Sequence, residues 1–187
     1  VFQIPVAAEF GWARSEFSLA IAIQNLAWGI GQPLFGAVAE KFGDRRAIIL
    51  GGLFYAVGLV ASSYAVTPGA HQLLAILVGF GIAGMGFGVI LAVVGRAASA
   101  ENRSLALGIA TAAGSAGQVV GPPAAEFLLG FYTWQTVFMM FAAVVLLALF
   151  ALPMMRAPER ASRAELEESM GTVLLRALRA PSFTLIF

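Results

Sequence analysis

Few side chains in this sequence are of types that do chemistry, and their neighbours decide what each can do. There is no cysteine, and His71 is the sole histidine. Thiol catalysis, disulfides and cysteine-based metal sites are therefore excluded within the chain, and no metal site is predicted. Ser115, in Gly114-Ser115-Ala116-Gly117, is the one nucleophile context worth weighing. A serine nucleophile needs a base within hydrogen-bond reach, and no histidine falls inside a predicted span. Gly79-Phe80-Gly81-Ile82-Ala83-Gly84 spells a dinucleotide-binding fingerprint. That motif requires a strand before it, a helix after it and an acid ~20 residues on. The motif lies inside an apolar span with no strand before it, so no cofactor is predicted. Gly84 and Gly88, like Gly117 and Gly121, are four residues apart and share a helix face. Close helix packing is their better account.

The remaining polar groups are of two kinds. The first is a charged knot, Glu40-Lys41-Phe42-Gly43-Asp44-Arg45-Arg46, with five charges in seven residues. The second is a set of amides and hydroxyls inside otherwise apolar runs: Gln24, Asn25, Trp28 and Gln32 near one stripe, and Thr111, Ser115, Gln118 and Pro122 near another. In lipid such groups need partners or water. They either bond between helices or line a cavity, and Asn25, Trp28, Gln32 and Gln118 are the cavity candidates.

The elements that must position these groups follow from the apolar runs. Hydrophobic residues make up 60% of the 187-residue chain and charged residues 11%, against roughly 25% charged in soluble domains. Mean hydropathy is +0.88. Hydrogen-bonded helices satisfy a backbone in lipid, and the alternation of a membrane barrel is not visible. The predicted class is an all-α, polytopic transmembrane helix bundle. Phe17–Ala39 is uncharged over 23 residues, long enough for one crossing. Ala47–Gly95 is uncharged over 49 residues, too long for one helix in a ~30 Å core. It divides at Val66–His71, where Pro68-Gly69 marks a turn.

Five complete spans result, at about 17–39, 47–65, 72–96, 104–129 and 135–152, in a bundle covering 1–152. Span five is interrupted by Pro122-Pro123. Val1–Ala8 reads as the outer end of a first span, Glu9–Glu16 as a polar loop with Ser15 as N-cap and Trp12 as an interfacial anchor. The segment 153–180 reads as a linker. Its Ser162-Arg163-Ala164-Glu165 fits a capping box, and apolar residues at helical spacing follow, as in an amphipathic surface helix. Residues 181–187 begin a seventh span. The sequence starts without Met and stops within an apolar run, as expected of a fragment.

Basic residues orient the bundle. The loops at 40–46 and 96–103 and the segment 153–180 hold ten of the eleven, and Arg14 is the other. By the positive-inside bias these three segments are cytoplasmic. Net charge is +1, and nucleic acid is not an expected partner. The expected localisation is integral to the plasma (inner) membrane, with the lipid bilayer as the first partner.

Gly36-x-x-x-Glu40-Lys41-x-Gly43-x-Arg45-Arg46, between the second and third spans, resembles the signature loop of the major facilitator superfamily. Asn102–Gly108 is similar to that family's start of span five. Gly117-Gln118-Val119-Val120-Gly121-Pro122 resembles its span-five Gly-x-x-x-Gly-Pro motif. The long linker after span six also matches the family. The familiar Asp is Glu40 here, and Asp44 adds an acid at a variable position. Glu9–Ser15 resembles the monocarboxylate-porter and oxalate/formate-antiporter branches.

The resemblance implies a six-helix N-terminal half that rocks against a missing C-terminal half. Gly36, Glu40, Lys41, Gly43, Arg45 and Arg46 would form a conformational latch, or only topology-fixing charges. Gly117, Gly121 and Pro122 would be the span-five motif. Spans one, two, four and five would wall the cavity. Arg96 and Arg103 are cytoplasmic gate candidates. Glu126 reads as a carboxylate at a span edge, and His71 as inert in an outer turn. The implied function is secondary active transport of a small organic anion such as a monocarboxylate, as a uniporter, proton symporter or antiporter, with any coupling ion as a further partner. The alternatives are a transport-incompetent receptor or scaffold and, more remotely, an intramembrane enzyme. The reading is of a non-enzyme.

Overall fold

The computed structural model describes residues 1–154. The linker helix predicted after 153 and the seventh-span start at 181–187 lie outside the described residues. Within them the chain is all-helical: α1 (Gln3–Phe10), α2 (Arg14–Phe42), α3 (Asp44–Ser62), α4 (Pro68–Met85), α5 (Phe87–Ala97), α6 (Arg103–Leu129), α7 (Trp134–Leu149), then one 3-10 turn at Leu152–Met154.

The helix ends have local causes. Thr67 accepts from the Ala70 N–H at 3.3 Å, and Pro68 occupies the first turn, where its missing N–H is not needed. Thr133 caps α7 by accepting from the Thr136 N–H at 3.4 Å. Gly11 ends α1 with φ 66°, its N–H returning to the Ala7 carbonyl at 2.9 Å. The loop predicted over 9–16 is thus only residues 11–13. Glu9 and Phe10 belong to α1, and Ala13, not Ser15, is the N-cap of α2. Ser15 is displaced because α2 starts two residues earlier than expected, at Arg14, whose carbonyl accepts from the Ser18 hydroxyl at 3.0 Å.

The charged knot is also helical. Gly43 alone separates α2 from α3, with φ 92° and ψ 151°, a region essentially reserved for glycine. Lys41 falls in the last turn of α2 and Asp44 in the first turn of α3, each opposite in sign to the helix end it occupies.

Two departures from the predicted spans bear on the site. The fourth, expected as one helix over 72–96, breaks at Gly86, whose ψ is −176°. The sequence Gly84-Met85-Gly86-Phe87-Gly88 is poor in helix-forming residues. A Cβ at Gly86 would lie 2.6 Å from the Ile82 carbonyl oxygen, so only glycine fits the break. Conversely, α6 runs unbroken through Pro122-Pro123. The prolines only delete hydrogen bonds, and Pro122 removes the helical donor from the Gln118 carbonyl.

α4 is the central element, packed between α2 and α3, with α7 on the far side of α3. Its glycines permit this. A Cβ at Gly84 would lie 2.6 Å from the Cα of Gly51 on α3, and Gly81 meets the Tyr55 backbone. Helices in lipid associate by such close packing, because lipid tails are as apolar as leucine. Gly84 therefore packs as expected, but the break at Gly86 puts Gly88 on α5 and not on a shared helix face, and among the described residues Gly117 and Gly121 have nothing within 4 Å of a built Cβ. α6 leans on α5 and buries only Ala125. Phe35, Ala39, Ala47, Ile48, Ala83 and Val89 form the main core, with Leu152 of the 3-10 turn packed among them.

Among the described residues, three helical stretches are long and apolar enough to cross a membrane: Asp44–Ser62, Pro68–Ala97 and Arg103–Leu129. Trp134–Leu149 is apolar but shorter, at 16 residues. α2 has the length, at 29 residues, but Gln24, Asn25 and Gln32 lower its hydropathy.

Candidate functional site

The break at Gly86 opens one wall of a cavity of about 450 Å³ between α2, the α4/α5 junction and α6. Gln24, Asn25 and Trp28 enter it from α2. Met85, Gly86 and Phe87 come from the junction, and Gly114 and Gln118 from α6. Three of the four cavity candidates therefore meet in one space. Gln32 does not line it. Its Oε1 reaches α5 instead, where a Cβ at Gly88 would lie only 2.5 Å away. Gln24 lines the cavity although only its stripe, and not the residue, pointed there.

The polar side chains of the two predicted stripes, Asn25 and Thr111 among them, show no helix-to-helix hydrogen bond among the described residues. Asn25 donates to the Ile21 carbonyl at 2.9 Å and Thr111 to the Leu107 carbonyl at 2.9 Å, both within their own helices. The Trp28 indole N–H is buried and has no acceptor among the described residues. Among the described residues, the cavity lining has no charged side chain. It offers neutral hydrogen-bonding groups, two aromatic rings and an apolar floor.

The second cluster lies at the end of the bundle that carries Gly43. Arg96, in the last turn of α5, makes an ion pair with Asp44, in the first turn of α3. Their side chains are 27% and 17% exposed. The Arg96 Nε is buried without a partner among the described residues. Arg45 donates to the Pro153 carbonyl at 3.3 Å. The Lys41 ammonium sits 5.3 Å from the centre of the neighbouring Phe42 ring. Glu40, Arg46 and Arg103 are exposed. Gly36 has nothing within 4 Å of a built Cβ among the described residues, so no close helix approach is made there. The acid that joins Arg96 is Asp44, at the variable position, and spacing alone did not single it out.

At the opposite end, two acids tie helices together. Glu9 of α1 accepts from Trp134 Nε1 at 2.6 Å and from Gln135 Nε2 at 3.1 Å, both on α7. Glu16 of α2 accepts from Gln72 Nε2 of α4 at 2.7 Å. His71 is not in the turn but in the first turn of α4, and is buried. Phe17 and Phe138 stack on it with centroids 5.5 and 6.4 Å away, and Trp12 leans in at 5.7 Å. Trp12, predicted to be an interfacial anchor, helps cage an imidazole. His71 also borders a second cavity, of about 300 Å³, whose wall includes Gln24 and Tyr55. Glu126 is exposed in the last turn of α6.

The sequence matches the Major Facilitator Superfamily over residues 1–187. It is 30% identical to monocarboxylate transporter 11 of Mus musculus over 133 residues, covering 69% of the chain and 28% of that protein. It is 33% identical to monocarboxylate transporter 13 of Bos taurus over 147 residues, covering 78% and 32%. It is 25% identical to the methyl viologen resistance protein SmvA of Salmonella typhimurium over 167 residues, covering 89% and 32%. The chain spans about a third of the length of these relatives.

Proposed function

The chain belongs to the major facilitator superfamily, and from that premise we propose that it forms the N-terminal half of a secondary active transporter for a small organic anion such as a monocarboxylate. The observation that carries this reading is the convergence of Asn25, Trp28 and Gln118 on one cavity from two helices. Alternating access needs such a site at the interface of two repeats. The choice of anion is supported by the monocarboxylate transporters among the relatives.

Membership makes the chain an integral membrane protein. Its location in the plasma (inner) membrane, with the Gly43 end cytoplasmic, is part of the proposal. So is the latch. Glu40, Lys41, Arg45 and Arg46 ring that end with Gly36 on the approach, and the Asp44–Arg96 pair clips α3 to α5 there. Arg103, Gly117 and Pro122 are exposed on α6 and Gly121 is half-buried there, which supports α6 as the face that the other half would cover.

The lining without charge favours a second reading, export of an organic cation, and one relative is a methyl viologen resistance protein. Full-length protein in proteoliposomes separates the two. Labelled pyruvate is expected to enter, to exchange in counterflow, and to respond to an imposed pH gradient if a proton is coupled. Export of methyl viologen without pyruvate movement would favour the cation reading. Movement of neither solute, with correctly inserted protein, would leave the receptor or scaffold reading.

A further inference from the structure

We infer that Phe87, seated on the helix break, makes this cavity a slot for substrates with a flat apolar body. This inference rests on the carboxylate reading above and sharpens it to monocarboxylates that carry an aromatic or similarly planar group. Four observations converge. Phe87 is the first residue of α5, directly after Gly86. Its ring closes the gap between α5 and α6, because a Cβ at Gly114 would lie 2.5 and 2.6 Å from two of its ring carbons. Trp28 supplies a second aromatic wall, from α2. The rest of the lining is largely apolar, with Ile82, Met85, Ile90 and Leu91, and the polar side-chain groups are Gln24, Asn25, Gln118 and the Trp28 indole N–H.

The chemistry of such a lining is selective for the substrate's body. Aromatic rings prefer offset or edge contact with another ring, and such pairs add about 0.5–1.5 kcal/mol beyond simple area burial. Met85 adds a polarizable thioether that tolerates either orientation. The amides can hold a keto or hydroxyl substituent. None of these groups neutralises a carboxylate, so this half grips the body of the substrate and leaves its charge to be met elsewhere in the complete protein. A carboxylate of two or three carbons would leave most of the 450 Å³ unfilled by contacts from this half.

Gly114 is the element that sets the width. The atoms its Cβ would meet are the far end of a side chain, not backbone. Alanine there therefore moves the Phe87 ring and narrows the slot without parting the helices.

The test compares pyruvate with phenylpyruvate, which differ by one phenyl group, in proteoliposomes of the full-length transporter. Wild type is expected to take phenylpyruvate with the higher kcat/KM. Phe87→Leu keeps apolar volume but loses the flat face, and should lower the phenylpyruvate-to-pyruvate ratio roughly three- to tenfold. Gly114→Ala should lower the same ratio through KM. An unchanged ratio in both variants, at equal reconstituted amounts, would overturn the inference. So would uptake of pyruvate with no preference for the ring, which leaves carboxylate transport standing. Uptake of neither acid overturns the carboxylate reading and this inference together.

Discussion

Arg96 presents a guanidinium at the last turn of α5, held by Asp44 through a terminal nitrogen and with its Nε buried and unpartnered. A hydrogen bond to a charged group contributes about 1.5–3 kcal/mol when sheltered. Both side chains are partly exposed here, so a figure near ~1 kcal/mol is more realistic. Asp44→Asn and Arg96→Gln should each slow uptake several-fold, and the swap Asp44→Arg with Arg96→Asp should restore part of the loss. Uptake as low in the swap as in either single variant would count against the pair. The residue types at this end were readable in the sequence, because charge density marks a helix end in an apolar chain. Which acid meets which base was not. That depends on Gly43, whose φ of 92° turns α3 back so that its first turn lies beside α5.

The α4 helix shows how an apolar element is held where apolarity drives nothing. Its glycines let α2 and α3 come within backbone contact, and dispersion summed over that contact replaces the hydrophobic effect. Gly81→Val would drive a branched side chain into the Tyr55 backbone. Overpacking of this kind costs about 1–3 kcal/mol, occasionally more. The variant should melt several degrees lower by fluorescence-detected size exclusion. Gly69→Val, where a built Cβ meets nothing within 4 Å, should melt like wild type. Equal melting of the two variants would mean that the α3–α4 seam has slack. The fingerprint-like spacing of Gly79, Gly81 and Gly84 is thus a packing pattern, as the missing strand implied. The break at Gly86 escaped the sequence reading because hydropathy continues smoothly across it. Helix continuity through Pro122-Pro123 escaped for the opposite reason, since proline weakens a helix without necessarily ending it.

At the scale of the molecule, ionic contacts sit at one end and carboxylate-to-amide or indole contacts at the other, with the cavity between them. The proposed orientation is testable by cysteine labelling once any cysteine outside this stretch is replaced, since residues 1–187 contain none. Lys41→Cys and Gly69→Cys, made singly in the full-length protein, should react with a membrane-impermeant maleimide from opposite faces, position 41 from the cytoplasmic side. Labelling of both from one face would overturn the span count between them. The sequence by itself determined the all-helical membrane class, most of the helices and the family, because charge-free runs of a given length have one economical way to satisfy their backbone in lipid. Only the tertiary structure decided which polar groups share a space. It brought Asn25, Trp28 and Gln118 to one cavity, sent Gln32 to α5, put His71 in an aromatic cage and paired Asp44 with Arg96. The reason is physical: composition and period set what each helix buries, but helix rotation and breaks set what each side chain meets, and these follow from glycine contacts between helices far apart in sequence.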